Sequence, residues 1–277
     1  MIEIPESATI GKQASETLKG KRIAHVIESN SPHRFTFYNG DPAEYSNRLV
    51  GRTVLGAQGY GAFVDILMDE DPHLLIGDGT NMRYYTSAEK APKKYQLMIV
   101  FEDDSFLAFT VSMYGSIYAF KGEFDNPYYQ GSIHKLCPLD ERFDKAYFIS
   151  LIRNLKKDIS AKALLATEQR IPGLGNGVCQ DILFNARISP KRKISTLSEE
   201  DTDRLFNTVK STLEEMTCRG GRDTEKDLFG NSGGYKVVLS KNTYADPCPV
   251  CGGALVKEAY LGGAVYYCPH CQPSAVN

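Results

Sequence analysis

No stretch of this chain stays apolar for long. Runs such as LMIVF at 97–101 fall far short of the roughly 20 apolar residues that a membrane helix needs. The chain does not open on a basic segment followed by an apolar one and a small-residue cleavage site, so the expectation is a soluble, intracellular protein. Charge of one sign is lacking too: the formal net charge is −2, which argues against an indiscriminate polyanion binder. Cysteine is sparse through most of the sequence. Cys137, Cys179 and Cys218 are scattered and read as small buried residues. No internal repeat is found.

What is present suffices for real cores, with 277 residues and 42% hydrophobic content. Charge is divided unevenly. Residues 1–150 carry 15 Lys and Arg against 20 Asp and Glu, whereas 151–277 carry 17 against 14, which makes the second half the better partner for an anion.

Between about 21 and 120 the runs RIAHVIES, RFTFY, YGAFVDILM, KYQLMIVF, SFLAFTV and SIYAF are β-branched or aromatic. Turn-rich stretches such as YNGDPAE and FEDDS separate them, a spacing that predicts a two-layer antiparallel sandwich. Ahead of it ESATIGKQASETLKG reads as one amphipathic helix, with Ile10, Ala14 and Leu18 on one face and Gly20 as its stop. After a polar connection near 121–140 the period becomes helical. Phe148, Leu151, Ile152 and Leu155 recur at 3–4 spacing, and a long helix starts at a Ser198 cap and stops at Gly220–Gly221. Residues 221–240 hold no persuasive period and read as a mobile loop. The fold class expected is α+β, with a β-sandwich domain at 1–125, a helical domain at 135–225 and a cysteine-held tail at 240–277.

The tail reads CPVCGGALVKEAYLGGAVYYCPHC. Cys248 and Cys251 form one C-x2-C knuckle, Cys268 and Cys271 the other, with sixteen residues between. Four thiolates at tetrahedral corners suit one structural Zn²⁺, and ALVKEAY and AVYYC would form the hairpin that unites the pairs. Disulfides or iron are the alternatives, disfavoured in a reducing compartment. A four-sulfur site has no open position, so it should hold shape rather than do chemistry.

The segment IPGLGNGVCQDILFNARISP at 171–190 crowds three glycines around Asn176 just before a helix. It superficially suggests a dinucleotide fingerprint, but no βαβ unit surrounds it. The other readings are a turn whose free amides and Asn176 grip a phosphate, or an ordinary glycine-rich turn.

The order of Glu-x-Pro-Glu, β-sandwich, glycine–asparagine turn, LSEED helix and four-cysteine tail resembles the formamidopyrimidine-DNA glycosylase/endonuclease VIII family along the whole chain. Its most specific parts are LLATEQRIPGLGNGVCQDILFNARISP, similar to the family's helix–two-turn–helix, and the finger ending in CPHCQ. The resemblance implies a protein of base excision repair that binds double-stranded DNA carrying a lesion or distortion. The expected location is the cytoplasm or nucleoid, with neither membrane nor nucleotide cofactor, and a monomer is the default expectation. Asn176 and Gly175 would then hold a DNA phosphate, with Lys162 as a neighbour, and Tyr114 would wedge into the base stack unless it is simply a sheet-edge aromatic.

Family members attack C1′ of the damaged nucleoside with an N-terminal proline amine, and an adjacent Glu serves as acid–base. Here Glu3, Pro5 and Glu6 fit that pattern, but Ile2 stands at the nucleophile's position, where it is not competent. Met1 would stay attached, its own amine displaced by one residue. A hairpin lysine expected near 59–61 is replaced by Tyr60 and Ala62. The finger arginine is Gly263, Arg-Phe-Gly has become Met113-Tyr114-Gly115, and the loop that carries a Met reads Gly79-Thr80-Asn81-Met82. Two functions follow: a glycosylase whose proline-dependent lyase step is lost or altered, with Glu3 activating water, or a non-catalytic binder of damaged DNA in which Glu3 only satisfies a helix terminus. A nicotinamide- or flavin-binding enzyme would rest on the glycines alone.

Overall fold

The computed structural model describes residues 1–87 and 91–274. The first helix, α1 (Ile4–Leu18), has Pro5 in its first turn, and its apolar face, Ile10, Ala14 and Leu18, is buried. Gly20 follows with φ +84°, a left-handed position that ends the helix without a Cβ penalty. The strands form two layers. One sheet runs β1 (Ile23–Glu28), β7 (Leu97–Phe101), β8 (Phe106–Val111) and β6 (Thr80–Tyr85) in that order. The other runs β2 (Thr36–Tyr38), β9 (Gly115–Lys121), β5 (Pro72–Ile76), β4 (Phe63–Met68) and β3 (Val54–Tyr60). Val64, Ile66, Leu74, Ile76, Ile99, Phe109 and Ile117 meet between them as the sandwich core. A short helix, α2 (Tyr45–Leu49), adds Tyr45 and Leu49 to that core.

Three strands escaped the sequence reading. β3 holds two glycines, β5 starts at a proline, and β6 is mostly polar, so none carries an apolar alternation. The sandwich is also not wholly antiparallel: β2 pairs in parallel with β9, Thr36 opposite Gly115. The polar connection contains a helix of its own, α3 (Pro127–His134), capped by the Asn126 side chain. Its Tyr129 hydroxyl donates to the buried Asp65 at 2.7 Å, and His73 Nδ1 lies 3.0 Å from the same carboxylate, which fixes α3 to the outer face of β4 and β5.

The helical half comprises α4 (Lys145–Arg153), α5 (Ala161–Ala166), α6 (Asn176–Asn185) and α7 (Glu199–Cys218). α7 begins at Ser198 in a reciprocal cap with Asp201, as its sequence predicts. The core of this half gathers Phe148, Leu164, Ile182, Leu205 and Leu213, and Ile4 of α1 joins it. In the opposite direction Leu228, from the segment after α7, is buried in the sandwich core. Residues 221–240 are therefore not the mobile loop expected. Arg222, Leu228, Tyr235 and Leu239 are all buried, and the segment packs against both halves.

α1 crosses β3 at backbone contact, which the glycines permit. A Cβ on Gly59 would overlap the carbonyl of Ser7, and one on Gly11 would overlap the backbone of Gly59. Gly59→Ala is expected to cost about 1–3 kcal/mol through overpacking, measured as a lower urea midpoint at unchanged slope.

Candidate nucleic-acid interface and the Glu3 network

The chain enters α1 through Glu3, whose amide donates to Glu6 Oε2 at 3.1 Å, while the Ile4 amide donates to the Gly173 carbonyl at 3.1 Å. That backbone bond brings the glycine turn against the chain's N-terminal residues. Gly173 has φ +77°, and a Cβ there would collide with Gly61 of the β3–β4 turn. The turn feeds α6, whose first amides lack intrahelical acceptors. Gly177 N and Val178 N donate to the two carboxylate oxygens of Glu3, at 2.9 and 2.8 Å. The anion at this helix terminus is thus the protein's own. A Cβ on Gly175 would lie 2.7 Å from the Glu3 carboxyl carbon, and one on Gly177 would overlap the Arg222 guanidinium. The glycines at 175 and 177 leave room for the Glu3 carboxylate and the Arg222 guanidinium.

Arg222 completes the network. It meets Glu6 through Nε at 3.0 Å and Nη2 at 2.7 Å, and its Nη1 lies 3.5 Å from Glu3. All three residues are buried, with exposures of 3–4%. Burial pushes the Glu3 carboxyl above its ordinary range; Arg222 and the two amides oppose this, and Glu6 adds to it. Burial likewise works against the Arg222 charge, yet the two carboxylates hold its pKa above the usual value. Arg222 carried no readable signal in the sequence, because a partner more than 200 residues away leaves no local pattern.

Ile2 is 5% exposed and packed in the sandwich core, while Met1 is 43% exposed. The Met1 amine forms an ion pair with Glu225. Clefts lie on either side of Met1. One, of about 210 Å³, is bordered by Asn81, Arg83, Met113 and Tyr114. The other, of about 220 Å³, is bordered by Glu3, Asn176, Gln180, Thr224 and Tyr266. Tyr114 is 42% exposed, its hydroxyl 3.1 Å from Asp78 and 3.3 Å from Met1 Sδ. Met82, read as a loop methionine, lies instead within β6 with its side chain fully buried.

Asn176 borders the second cleft but is tied to the finger, Nδ2 donating to the Ala264 carbonyl at 3.0 Å. Its Oδ1 is buried without a hydrogen-bond partner. Lys162 does not share that face. It is 3% exposed and donates to the Tyr260 carbonyl at 2.6 Å, so its ammonium braces the finger and is out of reach of a phosphate. Burial lowers its pKa, consistent with that enclosed position.

The tail forms the expected hairpin, β10 (Val256–Tyr260) and β11 (Gly263–Tyr267). The Sγ atoms of Cys248, Cys251, Cys268 and Cys271 all lie within 4.8 Å of one another. Cys248 and Cys271 are 3.8 Å apart and Cys251 and Cys268 3.5 Å. Metal–sulfur bonds of about 2.3 Å give a tetrahedron with edges of about 3.8 Å, whereas a disulfide requires about 2.05 Å. The four sulfurs therefore fit one metal ion and no disulfide. His270 is exposed and is not part of the cluster.

Comparison with known proteins agrees with this architecture. Residues 1–112 match the formamidopyrimidine-DNA glycosylase N-terminal domain, and residues 136–227 match the formamidopyrimidine-DNA glycosylase H2TH domain. The chain belongs to the formamidopyrimidine-DNA glycosylase/endonuclease VIII family. It is 28% identical over 285 residues to formamidopyrimidine-DNA glycosylase of Listeria monocytogenes serotype 4b, covering 98% of this chain and 100% of that one. Against the Geobacillus kaustophilus enzyme it is 29% identical over 286 residues, with the same coverage. The crystal structure of the MutM (Fpg) protein from Thermus thermophilus superposes with a TM-score of 0.81 at 23% identity, covering 99% of this chain and 100% of that one. The Lactococcus lactis Fpg in complex with abasic-site DNA gives 0.84 at 21% identity, covering 98% and 99%. The family thus supplies the fold, within which this member carries Ile2, Tyr60 and Gly263 where the family's nucleophile, hairpin lysine and finger arginine are expected.

Removing the Arg222 charge would leave Glu3 and Glu6 buried together. Arg222→Met is expected to destabilise the fold by about 3–5 kcal/mol. Adding Glu6→Gln should recover part of the loss, measured by denaturant titration of the single and double variants.

Proposed function

We propose that this protein recognises lesion-bearing double-stranded DNA and removes the damaged base, as a DNA glycosylase of base excision repair whose proline-dependent lyase step is lost or altered. The observation that carries this reading is the placement of Glu3, a carboxylate held at the junction of the two halves and bordering a cleft beside Met1, in a fold shared with relatives solved on abasic-site DNA. Asn176 borders the same cleft, and Tyr114 stands exposed at the other. Those positions suit a phosphate contact and a wedge into the base stack.

The nitrogen of Ile2 is a peptide amide and its side chain is buried, so residue 2 supplies no nucleophile. In the hydrolytic route water attacks C1′ as the glycosidic bond breaks, Glu3 takes the proton lost by water, and that proton is returned to the departing base. In the covalent route an amine attacks instead, and the Met1 amine is the one bordering both clefts. The competing reading, a binder without turnover, draws on the saturation of Glu3: both its oxygens accept amide hydrogen bonds and Arg222 stands 3.5 Å away.

Duplexes with an oxidised base or an abasic site, incubated with and without borohydride, separate these cases. Base release that falls by about 100-fold or more in Glu3→Gln is the expected result. A borohydride-trapped adduct would assign the nucleophile to an amine, and release without an adduct would assign it to water. No release from any lesion, with binding retained, would leave the non-catalytic binder.

The four thiolates are assigned one structural Zn²⁺, which fixes the hairpin and does no chemistry. Lys162, Lys191 and Gln272 tie that hairpin to the helices through Tyr260, Glu258 and the Ile188 carbonyl. Metal analysis should find one zinc per chain. Chelation should abolish DNA binding and change the near-ultraviolet signal of Tyr244 and Tyr266, which pack together behind the cysteines. The chain, with no helix among the described residues long and apolar enough to cross a membrane, would work at the nucleoid.

A further inference from the structure

Met1 is held from two sides of the junction. Its amine forms an ion pair with Glu225, its carbonyl accepts from Arg222 Nη2 at 3.3 Å, and its Sδ lies 3.3 Å from the Tyr114 hydroxyl. Tyr114 belongs to the sandwich, in the turn between β8 and β9, whereas Arg222 and Glu225 belong to the segment after α7. Met1 therefore spans the space between them. That span also separates the two clefts. Met1 and Glu225 border both the cleft of about 210 Å³ and the one of about 220 Å³, and among the described residues the clefts share no others.

The two ends of this bar are fixed and its middle is not. Ile2 is buried in the sandwich core, and Glu225 sits between the buried residues Arg222 and Leu228. Met1 itself is exposed. Its ion pair with Glu225 is open to solvent at both partners, with side-chain exposures of 42% and 26%, and pairs of that kind contribute little to stability. A thioether is a weak acceptor, and the Tyr114 hydroxyl has Asp78 as an alternative at 3.1 Å. Met1 can therefore turn about Ile2 without disturbing either core, and Tyr114 keeps a partner when it does.

We propose that Met1 is an autoinhibitory latch across the junction. Closed, its ion pair with Glu225 divides the junction into two small clefts and engages Tyr114. Open, it joins them into one trough and releases Tyr114 and the amine. Nucleic acid binds the open form, so the closed form lowers the apparent affinity in proportion to its population. Glu225 positions the latch and takes no part in bond breaking. This inference rests on the DNA reading above and concerns access to the junction, whichever group attacks C1′.

Two changes break the pair from opposite ends. Glu225→Gln removes the carboxylate, and acetylation of the Met1 amine, verified by intact mass, removes the cation. Plain charge effects on DNA binding would have opposite signs, because the first change removes a repulsive charge and the second an attractive one. The latch predicts the same sign for both. Affinity for a duplex holding a tetrahydrofuran abasic analogue, read by fluorescence anisotropy, should rise about two- to fivefold in each form, the range of an exposed ion pair. In protein labelled with [13C-methyl]methionine the Met1 signal should narrow in both forms. A rise in Glu225→Gln with a fall or no change in the acetylated form would be a charge effect and overturn the proposal, as would an unaltered Met1 line. Binding by the wild-type chain that neither change improves would overturn the latch and leave the DNA reading intact. No binding by any of the three forms would overturn both.

Discussion

Two buried carboxylates sharing one buried guanidinium hold this molecule in its arrangement. Glu3 and Glu6 lie on the first helix and its cap, Arg222 on the segment that follows the last long helix. Neither half of the chain can bury its part of the network alone, because an unpaired charge in that setting would be strongly unfavourable. The amides of α6 add a third element to the junction. The sandwich, the helical half and the 221–240 segment are therefore positioned by a shared electrostatic requirement, with the exchange of Ile4 and Leu228 between the two cores as its apolar counterpart.

The glycine-rich turn changes meaning in this light. Free amides at a helix start attract an anion, and the sequence offered no way to tell which one. A carboxylate from the same chain occupies those amides, and the missing side chains of Gly175 and Gly177 are filled by Glu3 and Arg222. Pre-placing a carboxylate next to Met1 through backbone amides gives it a fixed position without flexible side-chain donors, the kind of preorganisation on which acid–base chemistry depends. Lys162 shows a similar inversion: a lysine suited to a phosphate is consumed in holding the finger.

Legibility followed the range of the interactions involved. The Ser198 cap, the Gly20 stop and the two C-x2-C knuckles depend on residues a few positions apart, and each is visible in the sequence and present in the fold. The strands β3, β5 and β6 depend on pairing partners elsewhere in the sheet and on what covers each face, so glycine, proline and polar residues concealed them. The parallel partnership of β2 with β9 was equally hidden, since nothing within a three-residue strand specifies the direction of its neighbour.

The sequence by itself determined the layered α+β organisation, the cysteine cluster, the family and the isoleucine at residue 2, because periodicity, spacing and residue identity carry those facts locally. The tertiary structure decided which side chains face the clefts and which are spent on internal bonds. Glu3, Lys162 and Arg222 were settled there, Arg222 without any prior signal, and Asn81 and Arg83 were brought to one cavity beside Met1. The physical reason is that a charge or a hydrogen-bonding group is defined by its partner, and these partners meet only when distant segments fold together.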